Sequence, residues 1–507
     1  MNAQSVFLSL TIALLCPFAS AQWVQQGNKL VGIGAGGNAD QGFSVAISAD
    51  GNTAIVGGPN DSSGVGAAWV FTRTGGVWSQ QGNKLVGTGA LGNASQGFSG
   101  SLSADGNTAI VGGYGDSGDA GAAWVFTRSG DLWSQQGNKL VGTDAVGLHI
   151  HQGISVSLSA DGNTAIVGGY GDSGYVGATW VFTRSACEWS QQGNKLVGTG
   201  ALGSAAQGSF VSLSSDGNTA IVGGSGDNLG VGAAWVFTRS GGVWSQQGNK
   251  LIGTGSAGRN IGQGSSVALS ADGNTAIVGG GGDSNGVGAA WAFTRSGSAW
   301  SQQGKKLVGT GVLGGTAFQG SSASLSGDGN TAIVGGTDDN SSEGAAWVFT
   351  RSSGVWNQQG NKLVGTGAVG HIIYQGGSVA LSTDGNTAIV GGAADSGSAG
   401  AVWVFVRNSV GVGEKAAVIP LLFGLGQNYP NPFNPITNIT FQVPITSHVT
   451  LSVYDMLGRE VAVLVNERQE AGVHEVKFDG SGLASGIYFY RIQAGNFVET
   501  KKLLLLR

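Results

Sequence analysis

The strongest constraint on this chain is a phrase that occurs seven times. It reads Ser-Ala-Asp-Gly-Asn-Thr-Ala-Ile-Val-Gly-Gly, it first spans residues 48–58, and its later copies hardly differ. Its aspartates are 55 or 56 residues apart, at Asp50, Asp105, Asp161, Asp216, Asp272, Asp328 and Asp384. A fixed period of this length indicates one supersecondary unit that is repeated and that completes its core against neighbouring copies. We therefore expect residues 23–407 to form a single repeat architecture.

Each unit contains four short apolar runs. In the first unit these are strand A at residues 43–48, strand B at 53–58, strand C at 67–73 and strand D at 78–87. The runs are rich in Val, Ile, Trp, Phe and Thr and are bounded by Gly, Asp, Asn or Ser, which is typical of β-strands, and no helical period interrupts them. The Asp-Gly-Asn between strands A and B predicts a tight hairpin turn, because these residues tolerate positive φ.

Four strands per unit, repeated seven times, predict a seven-bladed β-propeller domain at residues 22–407. A β-solenoid is the alternative, but its coils are usually shorter and it needs distinct capping repeats. The repeat begins with a lone D strand at Trp23 and ends with a C strand at Trp403 to Arg407. We expect the N-terminal strand to complete the last blade, which closes the ring and removes an exposed edge.

The tryptophans of the repeat are predicted to serve the core. All 14 lie at two repeated positions, in strand C and at the start of strand D. An aromatic row of this kind could stack sugars or bases, but its recurrence in every unit favours packing. Strand C is apolar on both faces, with Trp69 and Phe71 on one and Ala68 and Val70 on the other. Such a strand is expected between neighbouring blades.

The N-terminus predicts export. An apolar run at residues 6–15 is followed by Ala19, Ser20 and Ala21, which indicates a signal peptide of residues 1–21 that is cleaved after Ala21. The run is too short to span a bilayer, and no other stretch is a candidate membrane span. With Cys16 removed, Cys187 remains alone, so no intramolecular disulfide is expected. A net charge of -5 argues against nucleic acid as a partner.

The composition changes after residue 407. Five of the seven prolines lie between residues 420 and 444, and we assign 408–425 to a linker and 426–507 to a second domain. Alternating residues and glycine turns predict a small antiparallel β-sandwich there. Its strands are expected near residues 439–443, 449–455, 460–465, 473–478, 487–493 and 498–506. The fold class is therefore all-β, with a seven-bladed propeller followed by this sandwich.

The propeller units resemble FG-GAP repeats. The matching segments of the first unit are residues 42–48, Asp50-Gly51-Asn52, 54–59 and 66–71. The resemblance implies a seven-bladed propeller that is often found at cell surfaces, where it serves adhesion or binding. Related integrin repeats bind calcium between strands A and B, but the Asp-Gly-Asn loop has too few oxygen ligands for calcium. We expect no metal or other cofactor. The same phrase faintly resembles the Asp box of sialidases, but it lacks that motif's tryptophan.

The C-terminal segment resembles the type A sorting domain of the type IX secretion system. The residues that carry the motif are Asn428, Tyr429, Pro430, Asn431, Pro432 and Phe433, followed by Gly458 and Arg459. The resemblance implies that the type IX secretion machinery is a partner and that the chain is exported across an outer membrane. The domain is then removed or retained, and the rest is secreted or displayed at the surface.

The loops predict a binding face on one side of the propeller. In an up-and-down blade, the B–C and D–A loops share one face, and these loops carry most of the variation among the copies. Variable loops on a rigid scaffold often bind ligands, although drift is the alternative. The candidate ligand residues are His149, His151, Arg259, His371 and Tyr374. His149 and His151 could also hold a metal, but two histidines in a loop are more often polar surface, so no metal is predicted.

Each unit also has an aspartate in Gly-Gly-x-x-Asp after strand B. These residues are Asp61, Asp116, Asp172, Asp227, Asp283, Asp339 and Asp395, and we call them the loop aspartates. We expect each to accept hydrogen bonds from the backbone of its own loop. A ring of carboxylates that binds a cation or a basic partner is the alternative. Lys29 and Arg73 recur in all seven units, which indicates structural pairing.

The sequence favours a secreted or surface protein that binds without catalysis. The ligand class is a glycan, matrix component or protein, bound through the B–C and D–A loop face. No unit differs from the others in the concerted way that a catalytic site requires, so the chain is not expected to be an enzyme. A hydrolase or lyase acting on extracellular polysaccharide, and a structural surface-layer component, are the alternatives.

Overall fold

The computed structural model describes residues 22–408, 423–469, 472–495 and 497–506. The predicted signal peptide, its cleavage at Ala21 and most of the predicted linker lie outside these residues. The chain forms two compact units, one built by residues 22–408 and the other by residues 423–506. The domain boundaries assigned from the sequence stay predictions.

The first unit consists of seven four-stranded antiparallel sheets, which confirms the predicted seven-bladed propeller. Strand A of blades 1 to 7 spans Ser44–Ile47, Ser99–Leu102, Ser155–Leu158, Phe210–Leu213, Ser266–Leu269, Ser322–Leu325 and Ser378–Leu381. Strand B spans Thr53–Gly58, Thr108–Gly113, Thr164–Gly169, Thr219–Gly224, Thr275–Gly280, Thr331–Gly336 and Thr387–Gly392. Strand C spans Ala67–Thr74, Ala122–Ser129, Ala178–Ser185, Ala233–Ser240, Ala289–Ser296, Ala345–Ser352 and Ala401–Asn408.

Strand D is shorter than predicted. It spans Val77–Gln80, Leu132–Gln135, Glu188–Gln191, Val243–Gln246, Ala299–Gln302, Val355–Gln358 and, for blade 7, Gln22–Gln25. In blade 1 the strand ends because Gly82 adopts a φ of +68°, which turns the chain out of the extended conformation. Contact with strand C then resumes at one residue, where Leu85 pairs with Ala68.

The N-terminal strand closes the ring, as expected. Gln22–Gln25 is antiparallel to strand C of blade 7, with Trp23 opposite Arg407 and Gln25 opposite Phe405. The pairing continues past the strand, where the Leu30 N–H donates to the Val402 carbonyl at 2.7 Å. The first and last segments of the repeat therefore share one sheet.

The hydrophobic core lies between the blades. Strand A of each blade is adjacent to strand A of both neighbours, so these strands form the inner wall of the ring. Ala68 and Val70 of blade 1 pack in one cluster with Trp124 and Phe126 of blade 2. All seven strand C tryptophans are completely buried: Trp69, Trp124, Trp180, Trp235, Trp291, Trp347 and Trp403. The two apolar faces of strand C thus join adjacent blades, and the core interpretation of these tryptophans is confirmed.

The turn between strands A and B is held by its aspartate. In blade 1 the Asp50 carboxylate accepts hydrogen bonds from the Ser48 hydroxyl at 2.5 Å and from the Asn52 N–H at 2.9 Å. Gly51 has a φ of +71°, as the predicted tight turn requires. Equivalent bonds form in all seven blades, and we call these residues the turn aspartates.

Each B–C loop contains a short helical turn that was not predicted. These turns are Asp61–Gly64, Asp116–Asp119, Asp172–Tyr175, Asp227–Gly230, Asp283–Gly286, Asp339–Ser342 and Asp395–Ser398. Their second and third residues have positive φ, for example 52° at Ser62 and 60° at Ser63. The turn is therefore tight and mostly left-handed, and too short for a sequence period to reveal.

The second unit is a two-sheet β-sandwich, as predicted. One sheet contains Gly424–Leu425, Ile436–Val443 and Gly472–Asp479, and the other contains Glu460–Gln469, Ser447–Tyr454, Gly486–Ala494 and Phe497–Leu505. The strand Gly424–Leu425 was not predicted. The core between the sheets includes Phe441, Leu451 and Tyr490. No helix among the described residues is long and apolar enough to cross a membrane.

Candidate functional site

The loop aspartates bind the two sets of loops together. The buried Asp61 carboxylate accepts a hydrogen bond from the Gly36 N–H of the D–A loop at 2.7 Å. It also forms an ion pair with the Lys84 ammonium at 2.5 Å. The same pattern recurs in the other blades, and Lys29 supplies the ammonium for Asp395. This confirms the predicted structural role of Lys29 and its counterparts.

The expectation that each loop aspartate is bonded to its own loop backbone was wrong. The N–H groups of that loop are already used, because Gly66 donates to the Asp61 carbonyl at 2.9 Å and Gly64 donates to the Asn60 carbonyl at 3.3 Å. The Asp61 carboxylate accepts only the Ser62 hydroxyl within its own turn. Its backbone partner is therefore on the D–A loop, and its remaining oxygen is occupied by the lysine rather than left for a cation.

The five predicted ligand residues do not converge on one point. His149, with 56% of its side chain exposed, places Nδ1 3.0 Å from the Asp119 carboxylate. The rings of His149 and His151 are 6.1 Å apart. Arg259 and His371 are exposed in the loops that enter blades 5 and 7. Only the two histidines are brought together.

His151 is buried within a row of aromatic side chains. Its ring is parallel to that of Tyr170, at 4.8 Å between centroids and an interplanar angle of 4°. Burial lowers its pKa, and His149 adds to this effect while Asp119 opposes it, so the ring is neutral at pH 7. Within the described residues, the buried Nδ1 atom of His151 has no hydrogen-bond partner.

The row extends across blades 1 to 3. Its members, which we call the aromatic row, are Phe43, Phe98, Tyr114, His151, Tyr170 and Tyr175. Successive ring centroids are 4.6 to 5.9 Å apart. Five of the six were absent from the predicted set. The sequence held a signal for two of them, because Tyr114 and Tyr170 occupy a position where other copies have Pro59, Ser225, Gly281, Thr337 and Ala393.

A cavity of about 840 Å³ opens at the mouth of the central channel, beside the aromatic row. Aromatic side chains from blades 7, 1, 2, 3 and 4 line this mouth cavity: Tyr374, Phe43, Phe98, Tyr170 and Phe210. Blade 2 has Gly100 where Val45 stands in blade 1, and the nearest contact of a Cβ placed there would be the Ser44 hydroxyl oxygen at 3.7 Å. The wall of the cavity is therefore recessed next to the row.

A second, polar cavity of about 440 Å³ lies between the loops of blades 1 and 2. The side chains that line this polar cleft are Asn60, Ser63, Asn93, Ser95, Tyr114 and Asp119. Tyr114 belongs to both the cleft and the aromatic row, so the two are continuous. Among the described residues, no group of three or more histidines, cysteines and acids is placed to hold a metal ion.

The sorting-motif residues lie in the second unit. The Asn428 side chain is buried and donates to the Pro430 carbonyl and the Thr437 hydroxyl. The Asn431 side chain accepts the Leu504 N–H at 2.9 Å. Pro432 follows Asn431, and Phe433 is buried in the core, whereas Tyr429 is exposed. The Asn431 bond attaches the segment to the last strand of the sandwich, and the Asn428 bonds hold it to itself and to the strand Ile436–Val443.

The other part of the motif is a tight turn. Gly458 has a φ of +77°, and its N–H donates to the Asp455 carbonyl at 3.0 Å. The Arg459 guanidinium is paired with the Asp455 carboxylate at 2.7 Å. The roles of the motif residues in sorting stay predictions.

Comparison with protein families assigns this second unit. Residues 427–506 match the family described as the secretion system C-terminal sorting domain. The chain is therefore exported by the type IX secretion system to the cell surface or beyond it, and it carries a propeller ahead of the sorting domain. A comparison with the curated proteins found no match. The FG-GAP resemblance of the propeller stays a prediction.

Solved structures with a similar fold include several propeller proteins. Hydrazine synthase of Kuenenia stuttgartiensis is 13% identical, with a TM-score of 0.45 over 76% of this chain and 99% of that one. PorZ, a surface component of the type IX secretion system of Porphyromonas gingivalis, is 12% identical, with a TM-score of 0.42 over 92% and 60% of the chains. A GH74 xyloglucanase of Xanthomonas campestris is 12% identical, with a TM-score of 0.45 over 88% and 60%. This likeness concerns the fold, and no activity is transferred from it.

Proposed function

We propose that this protein is an exported binding protein whose ligand contacts the B–C and D–A loop face. One observation carries the proposal. Eight aromatic residues of the described propeller are not shared by all copies, and all eight belong to this face: Phe43, Phe98, Tyr114, Tyr170, Tyr175, Phe210, Phe318 and Tyr374. Aromatic side chains provide large contact areas at little cost in conformational entropy, which makes them typical of binding surfaces.

The surroundings of these residues support a preformed site. The ion pairs of the loop aspartates hold both sets of loops to the same frame in every blade. The aromatic side chains therefore project from loops whose backbones are fixed, and a ligand need not order them on binding. The mouth cavity has the size and the mainly apolar lining that are usual for ligand pockets. The five candidate ligand residues remain part of this proposal. Tyr374 lines the mouth cavity and His151 belongs to the aromatic row, whereas His149, Arg259 and His371 are peripheral contacts.

The enzyme alternative has less support. A glycoside hydrolase uses two carboxyl groups that flank the scissile bond. Of the described residues that line the mouth cavity and the polar cleft, Asp119 is the acid, and it is paired with His149. We therefore propose binding without turnover. A structural surface-layer role would instead require regular self-assembly without ligand.

The test is a binding array with glycans and matrix proteins, using the exported chain and two variants. The first variant combines Tyr114→Ser and Tyr170→Ser, which introduce the residue that blade 4 carries naturally at this position, Ser225. The matched control is Leu229→Ser, because Leu229 is 94% exposed on the same face but lines neither cavity, and blade 1 has Ser63 at its position. We expect a saturable ligand that is lost in the double variant and kept in the control. A ligand that both variants retain equally would contradict the proposal, and so would an array without any ligand.

A further inference from the structure

We infer that the ligand is an uncharged oligosaccharide that extends from the polar cleft across the aromatic row. The inference rests on the proposed function and adds the chemical class and the position of the ligand. Its starting point is the continuity of the two surfaces. Tyr114 lines the cleft, and its ring is 4.6 Å from Phe98 on one side and 5.6 Å from His151 on the other. A ligand that fills the cleft therefore reaches the row without a gap.

The aromatic row matches the apolar side of a sugar. Each pyranose ring presents C–H groups that pack on aromatic rings, and its hydroxyls stay at the edge. Successive rings of the row contact one another, at 4.6 to 5.9 Å between centroids, so the row is one continuous apolar surface that is longer than a single sugar ring. Tyrosine suits such a ligand because its ring packs while its hydroxyl bonds at the rim. A row of several rings therefore favours a chain of sugars over a single one.

The polar cleft matches the hydroxyl side of a sugar. It presents amides from Asn60 and Asn93 and hydroxyls from Ser63 and Ser95. Amide and hydroxyl groups both donate and accept hydrogen bonds, as sugar hydroxyls do. Within the described residues, the side chains of Asn93, Ser63 and Ser95 form no hydrogen bonds with other residues. They are therefore available to a ligand.

The charges of the site exclude an acidic ligand. Neither cavity is lined by a lysine or an arginine among the described residues. The repeated lysines of blades 1 and 2, Lys84 and Lys139, are paired with the buried carboxylates of Asp61 and Asp116. The neutral His151 adds no positive charge, and Asp119 repels anions. Uronic or sulfated sugars would lose their hydration without gaining a cationic partner. An uncharged oligosaccharide has no charged group whose hydration is lost on binding.

The experiment measures the Kd values of matched neutral and acidic oligosaccharides with the full exported chain. The neutral probes are gluco-, xylo- and manno-oligosaccharides, and the acidic probes are oligogalacturonates and sulfated oligosaccharides of equal length. We expect at least one neutral series to bind, with affinity that rises with chain length, and the acidic probes to bind at least about tenfold more weakly. The Kd of the neutral ligand should stay constant between about 0.05 and about 0.5 M NaCl, because salt screens only charged pairs.

Variants locate the ligand. Tyr170→Ser and Asn93→Ala should each weaken the neutral ligand about tenfold. Leu229→Ser should leave the Kd unchanged, and an unchanged Tm for all three variants excludes misfolding as the cause. Tighter binding of an acidic probe, or a protein ligand that depends on Tyr170, would overturn the sugar class while the proposed binding face stands. Failure of all neutral probes would also overturn it. A ligand that no variant affects would refute the proposed function itself.

Discussion

Replacing Lys29 by methionine tests whether the N-terminal segment is an integral part of the ring. Lys29 follows the N-terminal strand, and its ammonium is paired with the buried Asp395 carboxylate of blade 7. Lys195 is paired with the buried Asp172 in the same way, but within the continuous chain of blade 3. The two lysines are 18% and 15% exposed, and both carboxylates are completely buried. Lys195→Met is therefore a matched internal control for Lys29→Met.

The structure sets the size of the effect. Removing the ammonium leaves a buried carboxylate without its counter-charge, which typically costs about 3–5 kcal/mol. The Val369 N–H and the Ser396 hydroxyl still support the ionised Asp395, which reduces the cost. We expect about 3 kcal/mol for each variant.

The assay is urea and thermal unfolding of wild type and both variants at pH 7. Both variants should lose the same stability. A wild-type midpoint for Lys29→Met beside a destabilised Lys195→Met would show that the N-terminal segment does not close the ring. Wild-type midpoints for both would refute the argument about buried carboxylates.

Three further predictions concern the rest of the molecule. Burial opposes ionisation of the turn aspartates, but hydrogen bonds from the neighbouring serine and asparagine outweigh it and lower the pKa of these aspartates below 3.8. The stability that the ionised aspartates add is therefore complete above pH 3.8. The propeller Tm should fall as the pH drops below that value. Burial raises the pKa of Tyr490 to about 12, and its hydroxyl makes two hydrogen bonds to the backbone. Tyr490→Phe removes both bonds, so the free energy of unfolding of the sorting domain in urea should fall by about 1–3 kcal/mol. The exported fraction of the protein should decrease as well. Gly57→Ala should prevent folding, because the new Cβ would lie 2.0 Å from the Gly97 carbonyl oxygen, and the soluble fraction measures this. The control is Gly75→Ala, which places its Cβ in open space at positive φ and should lower the free energy of unfolding by only about 1 kcal/mol. A soluble Gly57→Ala, an acid-insensitive propeller or an unaltered Tyr490→Phe would contradict the respective argument.

The architecture was predictable because the period, the strand signals and the chain ends all agreed. Seven copies with four apolar runs each fix the number of blades, and the lone strand at Trp23 required a partner at the other end of the repeat. Details that depend on one dihedral angle were not predictable. Strand D ends early through the positive φ of Gly82, and the B–C turn forms through two left-handed residues after Asp61. Neither leaves a periodic pattern in the sequence.

The candidate site was predictable only in part. The choice of face followed from the variable loops, and His149 and His151 stood out as unusual residues. Phe43 and Phe98 carry no such signal, because each directly precedes an apolar run that resembles strand A of the other copies. They are 55 residues apart in sequence and 4.6 Å apart between ring centroids, since the ring places adjacent blades side by side. Proximity of this kind comes from the packing of consecutive blades, and no local pattern in the sequence indicates it.

The near-identity of the repeats is what makes the aromatic row informative. Each blade has the same strands, turns and buried ion pair. The fold therefore imposes the same structural requirements on every blade, and these requirements do not explain a residue that differs between blades. Drift alone would distribute aromatic substitutions over both faces, because the A–B and C–D turns are also exposed to solvent. The eight variable aromatic residues instead share one face, and five of them join His151 in a contiguous row. Those five come from three different kinds of position: the entry to strand A, the residue after strand B and the B–C turn. Because no one structural role accounts for all three, a shared ligand is the simplest cause of their convergence.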